Sequence, residues 1–344
     1  MDVLDEAKVT LIVTPRERFG VARESLTSIF DHTTGPFDLV YVDAAGPKDL
    51  SAWVAEQARV RGFQHLNFSH VLTPNEARNA GLRRATTPYV VFIDNDVICS
   101  PNWLEPLIAS AESTGADVVA PLTCQGLPVH TEVHQAGGLF TTDLARFFAT
   151  PHGERIIEEV MHYQGQKVDE IPKEPVATQC CEFHCVLVRR SVFDRIGGLD
   201  TQMLATKEHI DFCMSVLANG GTVMFEPRSV VTYLYPGRSR PIAASDWSFF
   251  LVRWSDAWQR RSFDRFKDKW GLKSDQPYFA KRARMLSWRY KEGVVKPIVM
   301  KLPGINRSPL LRKATGKLVA PFVSAAGAAM TARADRQRRL HPER

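Results

Sequence analysis

The sequence lacks the features of two classes of protein. It has only six cysteines in 344 residues, which excludes a small scaffold held together by disulfides. It has no run of about 18 apolar residues, which excludes a transmembrane helix. Residues 1–8 are acidic and contain no apolar core, so they do not resemble a secretory signal. We therefore expect a cytoplasmic protein whose thiols are reduced.

Basic residues are scarce in the body of the chain and abundant at its end. Residues 1–271 carry 27 Lys and Arg against 34 Asp and Glu, whereas residues 272–344 carry 17 against 4, a net charge of +13. An acidic body does not indicate nucleic-acid binding, and we expect no such partner. The basic extension has two interpretations. It is either a solvated, partly disordered tail or a peripheral contact with an anionic membrane on the inner face.

The first 120 residues alternate between strand and helix patterns. Runs typical of strands recur at 9–13, 37–42, 65–68, 89–93 and 117–120. This order predicts an α/β fold with an open, mostly parallel sheet flanked by helices. Such sheets bind ligands beyond the carboxyl ends of their strands. That rule directs attention to Thr14–Arg18, Asp43 and Asp94–Asp96, each of which follows a strand.

The pattern is less regular after residue 124. Residues 125–175 have the composition of an insertion or a flexible loop, and strand patterns return at 185–188, 223–225 and 230–234. From residue 246, aromatic side chains recur at helical spacing. They predict a helix over 246–270 that either packs on the body or forms an aromatic wall for an acceptor. The basic extension that follows is expected to be helical.

The strongest chemical signal is Asp94-Asn95-Asp96. Burial of two carboxylates after an apolar strand is costly unless a positive charge compensates for their desolvation. A hard divalent cation such as Mg²⁺ or Mn²⁺, completed by diphosphate oxygens, would do so. The alternative is that these residues cap the next helix. Arg78 offers a fork for a phosphate or, alternatively, an ion pair with these acids.

A second cluster, Cys180-Cys181-Glu182-Phe183-His184-Cys185, superficially suggests zinc. If the whole segment were a strand, alternation would send Cys180 and His184 to one face and Cys181 and Cys185 to the other. No second Cys-x-x-Cys pair completes a tetrahedral site. We therefore expect packed thiols here.

Taken together, the segments resemble the inverting nucleotide-sugar glycosyltransferases of family 2, which have the GT-A fold. The resemblance covers about residues 8–235. It is carried by Val9-Thr-Leu-Ile-Val-Thr14, Tyr41-Val-Asp43, Asn75-Glu-Ala-Arg-Asn-Ala-Gly81, Phe92-Ile-Asp-Asn-Asp96, Leu187-Val-Arg-Arg-Ser-Val-Phe193, Gly197-Gly-Leu-Asp200 and Glu208-His-Ile-Asp-Phe-Cys213.

The resemblance implies a set of site residues. Asp94 and Asp96 match the metal-binding Asp-x-Asp motif, and Gly198 matches the loop near the donor sugar. The residues expected to bind the nucleotide sugar are Thr14, Pro15, Arg18, Asp43, Arg78, Asn79, Asp94, Asn95 and Gly198. Residues 1–124 would then form the donor-binding half of the domain and residues 125–240 the acceptor-binding half. The aromatic helix of 241–271 and the basic extension of 272–344 would follow.

Two positions depart from the family pattern. The usual catalytic base is an Asp at the position of His209, so Asp211, His209 and Glu208 all stay candidates for that role. Many relatives also have a metal-binding His after the last strand, where this chain has Tyr233. We therefore expect a looser metal site that water and diphosphate complete.

The implied function is metal-assisted transfer of a sugar, with inversion, from a nucleoside diphosphate sugar to an acceptor hydroxyl. UDP is the expected nucleotide, and the acceptor would be a carbohydrate or lipid-linked molecule in polysaccharide, glycolipid or cell-envelope synthesis. One alternative is a degenerate, non-catalytic sugar-nucleotide binder or scaffold. The other is a sugar-phosphate nucleotidyltransferase, against which the sequence offers no glycine-rich phosphate loop after Val13.

Overall fold

A ten-stranded sheet forms the centre of the computed structural model, which describes residues 6–234, 242–285, 288–304 and 308–341. The strands are β1 (Val9–Thr14), β2 (Asp38–Ala44), β3 (Gln64–Phe68), β4 (Tyr89–Asp94), β5 (Val97–Cys99), β6 (Val118–Gln125), β7 (Val133–Gln135), β8 (Gly138–Phe140), β9 (Glu159–Met161), β10 (Val176–Thr178), β11 (Cys185–Arg189) and β12 (Val223–Tyr233). Strands β8 and β9 pair separately as a small antiparallel sheet.

Helices flank the sheet and form the C-terminal part of the described chain. They are α1 (Ala22–His32), α2 (Lys48–Arg61), α3 (Pro74–Leu82), α4 (Leu104–Thr114), α5 (Leu144–Ala149), α6 (Val192–Ile196), α7 (Glu208–Ala218), α8 (Trp247–Arg253), α9 (Asp256–Trp270), α10 (Pro277–Met285), α11 (Trp288–Tyr290), α12 (Lys296–Met300) and α13 (Pro309–Leu340). A π-helical turn over Lys291–Val295 joins α11 to α12.

The main path of the sheet has the order β10-β12-β6-β11-β4-β1-β2-β3. Strands β3, β2, β1, β4, β6 and β12 run in one direction, and β11 is inserted antiparallel between β4 and β6. The expectation of a mostly parallel sheet flanked by helices is therefore confirmed. Because β1, β2 and β4 are adjacent and parallel, their carboxyl ends meet at one edge.

Both faces of the sheet are covered, which explains the continuous apolar runs in its central strands. In β1, Ile12 faces one core cluster and its neighbours Leu11 and Val13 face the other. In β4, Phe92 and Ile93 divide between the clusters in the same way. This two-sided burial fixes the register, since a slip of one residue would exchange the faces.

Helix α3 begins and packs as its sequence predicts. The backbone of Thr73 donates to Glu76 Oε2 at 2.8 Å and the backbone of Glu76 donates to Thr73 Oγ1 at 3.3 Å, which forms a capping box. At the other end, Gly81 lies against the side chain of the buried Ile12. This close approach positions the arginine of α3, Arg78, beneath the end of β4.

Three of the expected elements differ from the structure. The separate strands expected at 223–225 and 230–234 form one strand, β12, whose register with β6 is irregular between Glu226 and Val230. Residues 125–175 contain β7, β8, β9 and α5, so the segment is ordered rather than a featureless loop. The expected single helix over 246–270 is two helices, because Ser255 has an extended backbone and its hydroxyl caps α9 by accepting from the backbone of Trp258.

The expected domain boundaries stay predictions. Strand β6 runs across the boundary at 124/125, so the two halves share one continuous sheet. The boundary at 240/241 lies outside the described residues.

The basic extension folds back on the body. The guanidinium of Arg338, near the end of α13, forms a fork with both carboxylate oxygens of Glu76 in α3 at 2.5–3.0 Å. Trp258 Nε1 donates to Asp335 Oδ1 at 3.1 Å. Across the described ranges, every helix falls short of the combined length and apolarity that crossing a bilayer requires.

The substitution Gly81→Ala tests the packing of α3 on β1. The added Cβ would overlap the buried Ile12 side chain, so we expect the free energy of unfolding to fall by about 1–3 kcal/mol in urea titrations. Gly316→Ala in α13 is the matched control, because nothing lies within 4 Å of its added Cβ. An equal loss of stability in both variants would show that the contact with Ile12 is unimportant.

Candidate active site

Three parallel strands end at the edge where the sequence predicts a ligand. Thr14, the last residue of β1, pairs with Asp94, the last residue of β4. On the other side of β1, Val13 pairs with Tyr41 in β2, which places Asp43 at the same edge. Asp43 and Asp94 thus lie on either side of the end of β1, as the alternation of strands and helices predicts.

Hydrogen bonds hold the turns after β1 and β4 together. The backbone of Asn95 donates to the carbonyl of Thr14 at 2.9 Å, and the backbone of Arg16 donates to Asn95 Oδ1 at 3.1 Å. Pro15 is buried in the same turn. Asn95 therefore shapes the edge through its backbone and side-chain oxygen.

Asp43 is buried and engaged with its own loop. Its Oδ1 accepts from the backbone of Gly46 at 3.0 Å, and its Oδ2 accepts from the Ser51 hydroxyl. The Nε2 atom of His65 lies 3.7 Å from the same Oδ2. The carboxylate therefore orders the loop that leads into α2.

Asp94 is surrounded by positive or polar groups. Arg16 Nη1 lies 3.3 Å from Oδ2, Arg78 Nη2 lies 3.2 Å from Oδ1, and His184 Nδ1 lies 3.2 Å from Oδ2. Burial alone raises the pKa of Asp94, but His184, Arg16 and Arg78 outweigh that effect and lower the pKa to about 2. Arg78 is thus an ion-pair partner of Asp94, the second of the two roles that the sequence left open.

Asp96 has no such close ion pair among the described residues, and the charges of Arg16 and Arg18 only partly oppose the effects that raise its pKa. Its carboxylate is fully buried, and neither oxygen has a hydrogen-bond partner among the described residues. Burial, followed by the nearby charge of Asp94, raises the pKa of Asp96 well above its ordinary range. An unpaired acid in this position is the kind of group that a bound cation would stabilise.

Asp94, Asp96 and His184 together could hold a divalent cation. One ligand atom from each lies within 4.8 Å of the others. Burial, followed by the charge of Arg16, lowers the pKa of His184 to about 4, so its ring is neutral at pH 7 and able to ligate. Two carboxylates and one imidazole suit Mn²⁺ and also accommodate Mg²⁺.

The imidazole of this group comes from a position that the sequence reasoning missed. Tyr233 stacks on the His184 ring, with centroids 3.9 Å apart and planes at 24°. We expected no histidine ligand after the last strand, and the structure instead brings His184, the residue before β11, beside the acids. The strand alternation assumed for 180–185 does not apply, because β11 begins only at Cys185.

The Tyr233 hydroxyl is engaged elsewhere. It donates to the carboxylate of the fully buried Glu17, which also accepts from Trp254 Nε1. In the same turn, Arg18 Nη1 donates to the carbonyl of Leu234 at 2.7 Å. The turn after β1 is thereby tied to the end of β12 and to the C-terminal helices.

A second imidazole and carboxylate group adjoins the first. His184 Nε2 lies 3.6 Å from Glu182 Oε2, and His134 Nε2 lies 3.8 Å from Glu182 Oε1. The pKa of Glu182 is well below its ordinary value, because His209, His134 and His184 outweigh the opposing effect of burial. Neither His134 nor Glu182 was expected in the site. They come from segments that lack a readable strand pattern.

Two residues of this second group, His134 and Glu182, line a cleft of about 380 Å³. Its lining from the body includes Arg16, His134, Glu182, Lys207, Glu208 and His209. Its lining from the C-terminal helices includes Arg253, Trp254, Arg282, Trp288 and Arg289. The guanidinium of Arg289 lies 3.8 Å from the Trp254 ring centroid. The cleft is therefore closed by residues beyond the conventional sheet domain, and its walls carry several cations.

The three candidate bases lie differently around this cleft. Glu208 and His209 line it, and Glu208 Oε1 accepts from Arg253 Nη2 at 2.9 Å. Asp211 lies outside the lining and is bonded through both oxygens, to Lys269 Nζ and Trp270 Nε1, each at 2.8 Å. Asp211 therefore joins α7 to α9 by hydrogen bonds. His209 is the candidate that lines the cleft without a side-chain hydrogen bond to another described residue.

Asn79 lies against the loop that contains Gly198, and their predicted roles in donor binding stay predictions. Asn79 Nδ2 donates to the Leu199 carbonyl at 2.8 Å, and the Leu199 backbone donates to Asn79 Oδ1 at 2.9 Å. A Cβ on Gly198 would lie 3.3 Å from Asn79 Oδ1. The amide of Asn79 is thus a brace between α3 and the loop after α6.

Comparison with known proteins agrees with this geometry. The sequence model described as Glycosyl transferase family 2 matches residues 10–197. Polypeptide N-acetylgalactosaminyltransferase 15 of Mus musculus is 28% identical over 246 residues, which are 69% of this chain and 36% of that protein. Pre-mycofactocin glycosyltransferase of Mycobacterium tuberculosis is 24% identical over 233 residues, which are 65% of this chain and 42% of that protein. The chain spans less than half the length of these curated relatives.

A solved structure with a similar fold is the crystal structure of GalNAc-T7 with UDP, GalNAc and Mn²⁺. The TM-score is 0.52 at 14% identity, and the match covers 86% of this chain and 58% of that one. The expected GT-A type fold is thereby confirmed, and the C-terminal extension is helical in its described part.

Asp96→Asn tests whether this site holds a cation. Removal of an unpaired buried charge is expected to raise the free energy of unfolding without metal by about 1–3 kcal/mol. It should also abolish the rise in melting temperature that Mn²⁺ gives the unaltered protein. Thermal unfolding with and without MnCl₂ measures both effects. Asp49→Asn, at a side chain that is 81% exposed, is the matched control. A full manganese shift in Asp96→Asn would contradict the assignment.

Proposed function

Because the chain belongs to glycosyl transferase family 2, we propose that it transfers a sugar from a nucleoside diphosphate sugar, with UDP as the nucleotide, to a hydroxyl of a carbohydrate acceptor. The observation that carries the proposal is the fully buried carboxylate of Asp96, which lies beside Asp94 and His184 and has no hydrogen-bond partner in the part of the chain that the structure describes. It lies at the sheet edge where α/β folds bind nucleotides. Membership of the family thus supports sugar transfer as the reaction, and the buried acids support this edge of the sheet as the proposed site.

Asp94, Asp96 and His184 would hold Mn²⁺ or Mg²⁺ next to the donor. Their oxygen and nitrogen donors suit such an ion, and the partnerless oxygens of Asp96 need one. When bound, the ion neutralises charge on the departing diphosphate. Glu182, 3.6 Å from His184 Nε2, would fix the ring so that Nδ1 faces the acids.

The nucleotide would lie over the ends of β1 and β2. Thr14 and Pro15 form the turn there, and Asp43 shapes the neighbouring loop through Gly46 and Ser51. Arg78 supports the donor indirectly, because its guanidinium holds Asp94 at 3.2 Å. Asn79 acts in the same indirect way by holding the loop that contains Gly198.

His209 is our candidate for the catalytic base. It occupies the family's base position, lines the cleft and has an imidazole, the side chain that most often serves as a general base. It would take the proton of the acceptor hydroxyl while that oxygen attacks the anomeric carbon. The bond from that carbon to the diphosphate breaks, the nucleoside diphosphate leaves, and the configuration inverts.

The test of the proposed function is nucleotide release. The protein is incubated with MnCl₂, simple glycosides and each of UDP-glucose, UDP-N-acetylglucosamine, UDP-N-acetylgalactosamine and GDP-mannose. We expect metal-dependent release of UDP from at least one donor and a loss of about 100-fold or more in Asp96→Ala. Release of pyrophosphate from UTP and a sugar 1-phosphate in a parallel incubation, without release of UDP from any sugar nucleotide, would indicate a nucleotidyltransferase. Binding without any release would indicate a non-catalytic sugar-nucleotide binder.

The assignment of the base is tested by comparing two neighbouring positions. His209→Ala is expected to lower kcat by about 10²–10⁴-fold, because general base catalysis contributes that much, while His209→Asp keeps measurable turnover. Asp211→Asn should mainly lower the melting temperature, because it weakens the bonds of α7 to Lys269 and Trp270.

The readouts for this comparison are kcat, its pH profile and thermal unfolding. A folded Asp211→Asn protein without turnover, together with an active His209→Ala protein, would reverse the assignment.

A further inference from the structure

The outer face of α13 is apolar and uncovered. The exposed fractions of its large side chains are 79% for Leu310, 51% for Leu311, 71% for Leu318 and 79% for Phe322. Exposed alanines continue the same surface at 314, 325, 326, 328 and 329. An exposed apolar surface of this length is unusual on a helix in contact with water.

Helical spacing separates this face from the side that packs on the body. Val323, Gly327, Thr331 and Ala334 are buried and lie three or four residues apart, which is one face of a helix. Gly327 faces Leu251 of α8. At 100° per residue, Leu311, Leu318 and Phe322 point to the opposite side. We call these three residues with Leu310 the outer stripe.

Two basic side chains flank the outer stripe. Between residues 309 and 330 the charged residues are Arg312, Lys313 and Lys317. At 100° per residue from Leu311, Arg312 and Lys317 lie on either side of the stripe, and Lys313 lies on the opposite side. All three line a groove of about 1060 Å³ between α13 and the segment 290–300. The same groove contains Lys291 and the ion pair of Lys296 with Glu292, whose Nζ–Oε2 distance is 2.7 Å.

We propose that the outer stripe of α13 lies in the interface of an anionic phospholipid bilayer. Apolar side chains would enter the boundary between headgroups and acyl chains, and the flanking cations would contact the lipid phosphates. A second copy of this chain fits the face less well, because apposition would bring two extensions of net charge +13 together. The proposal concerns where the protein lies and does not rest on the reaction proposed above.

The same face would bring the cleft to the membrane. Trp288 and Arg289 of α11 line the cleft, and the next residues, Tyr290 and Lys291, line the groove beside α13. Trp288 is 43% exposed and Met285 49% exposed at this junction. A protein docked through the outer stripe would therefore carry its cleft close to the lipid surface.

Vesicle co-sedimentation of the full chain tests this proposal. The unaltered protein should sediment with phosphatidylcholine vesicles that contain phosphatidylglycerol, much less with phosphatidylcholine alone, and less at high salt. The double variant Leu318→Gln with Phe322→Gln should bind the anionic vesicles about tenfold more weakly or worse, since two apolar side chains no longer enter the interface. Val60→Gln, at a side chain of α2 that is 62% exposed, is the matched control and should bind normally.

Two further measurements make each outcome decisive. Circular dichroism establishes that the variants fold. If the double variant does not fold, Arg312→Ala with Lys317→Ala replaces it, with weaker binding to anionic vesicles as the expected result. Light scattering after size exclusion gives the oligomeric state. A stable dimer that the double variant dissociates, with no vesicle binding by the unaltered protein, would overturn the proposal. Equal vesicle binding by the unaltered protein and the folded double variant would also overturn it.

Discussion

The burial of two carboxylates at one edge of the sheet is the constraint on which the rest of the site depends. Asp94 tolerates burial because Arg16, Arg78 and His184 surround it at 3.2–3.3 Å. Asp96 has no hydrogen-bond partner among the described residues, and burial and the charge of Asp94 raise its pKa despite the opposing charges of Arg16 and Arg18. A bound cation would stabilise the ionised carboxylate there.

The neighbouring side chains form one connected arrangement. Tyr233 covers the His184 ring, and its hydroxyl engages Glu17, which also bonds Trp254 from the C-terminal helices. Tyr233, at the end of β12, stands where many relatives have a histidine. The imidazole beside the acids comes instead from His184, the residue before β11. The C-terminal helices that close the cleft belong to the same arrangement. Their last helix, α13, carries the outer stripe on the side that faces away from the body.

The sequence predicts the parts of the fold that obey a regular period, and less of the site. Strand β4 follows from its apolar run, and the common edge of Asp43 and Asp94 follows from the rule for parallel strands. The capping box of α3 follows from the spacing of Thr73 and Glu76. The same reasoning could not find three residues of the site: His184, Glu182 and His134. They lie in segments without a regular apolar period, where tertiary contacts determine the course of the backbone. The break at Ser255 was equally hidden, since the aromatic spacing continues through it and only a cap stops the helix.

Anomalous diffraction from crystals grown with UDP and MnCl₂ tests the central claim most directly, because it locates manganese without reference to activity. We expect an anomalous peak for a manganese ion coordinated by the Asp96 carboxylate, by His184 Nδ1 and by the diphosphate of UDP. A peak held by His134 and Glu182 without Asp96, or UDP bound at this edge with no manganese beside Asp96, would contradict it.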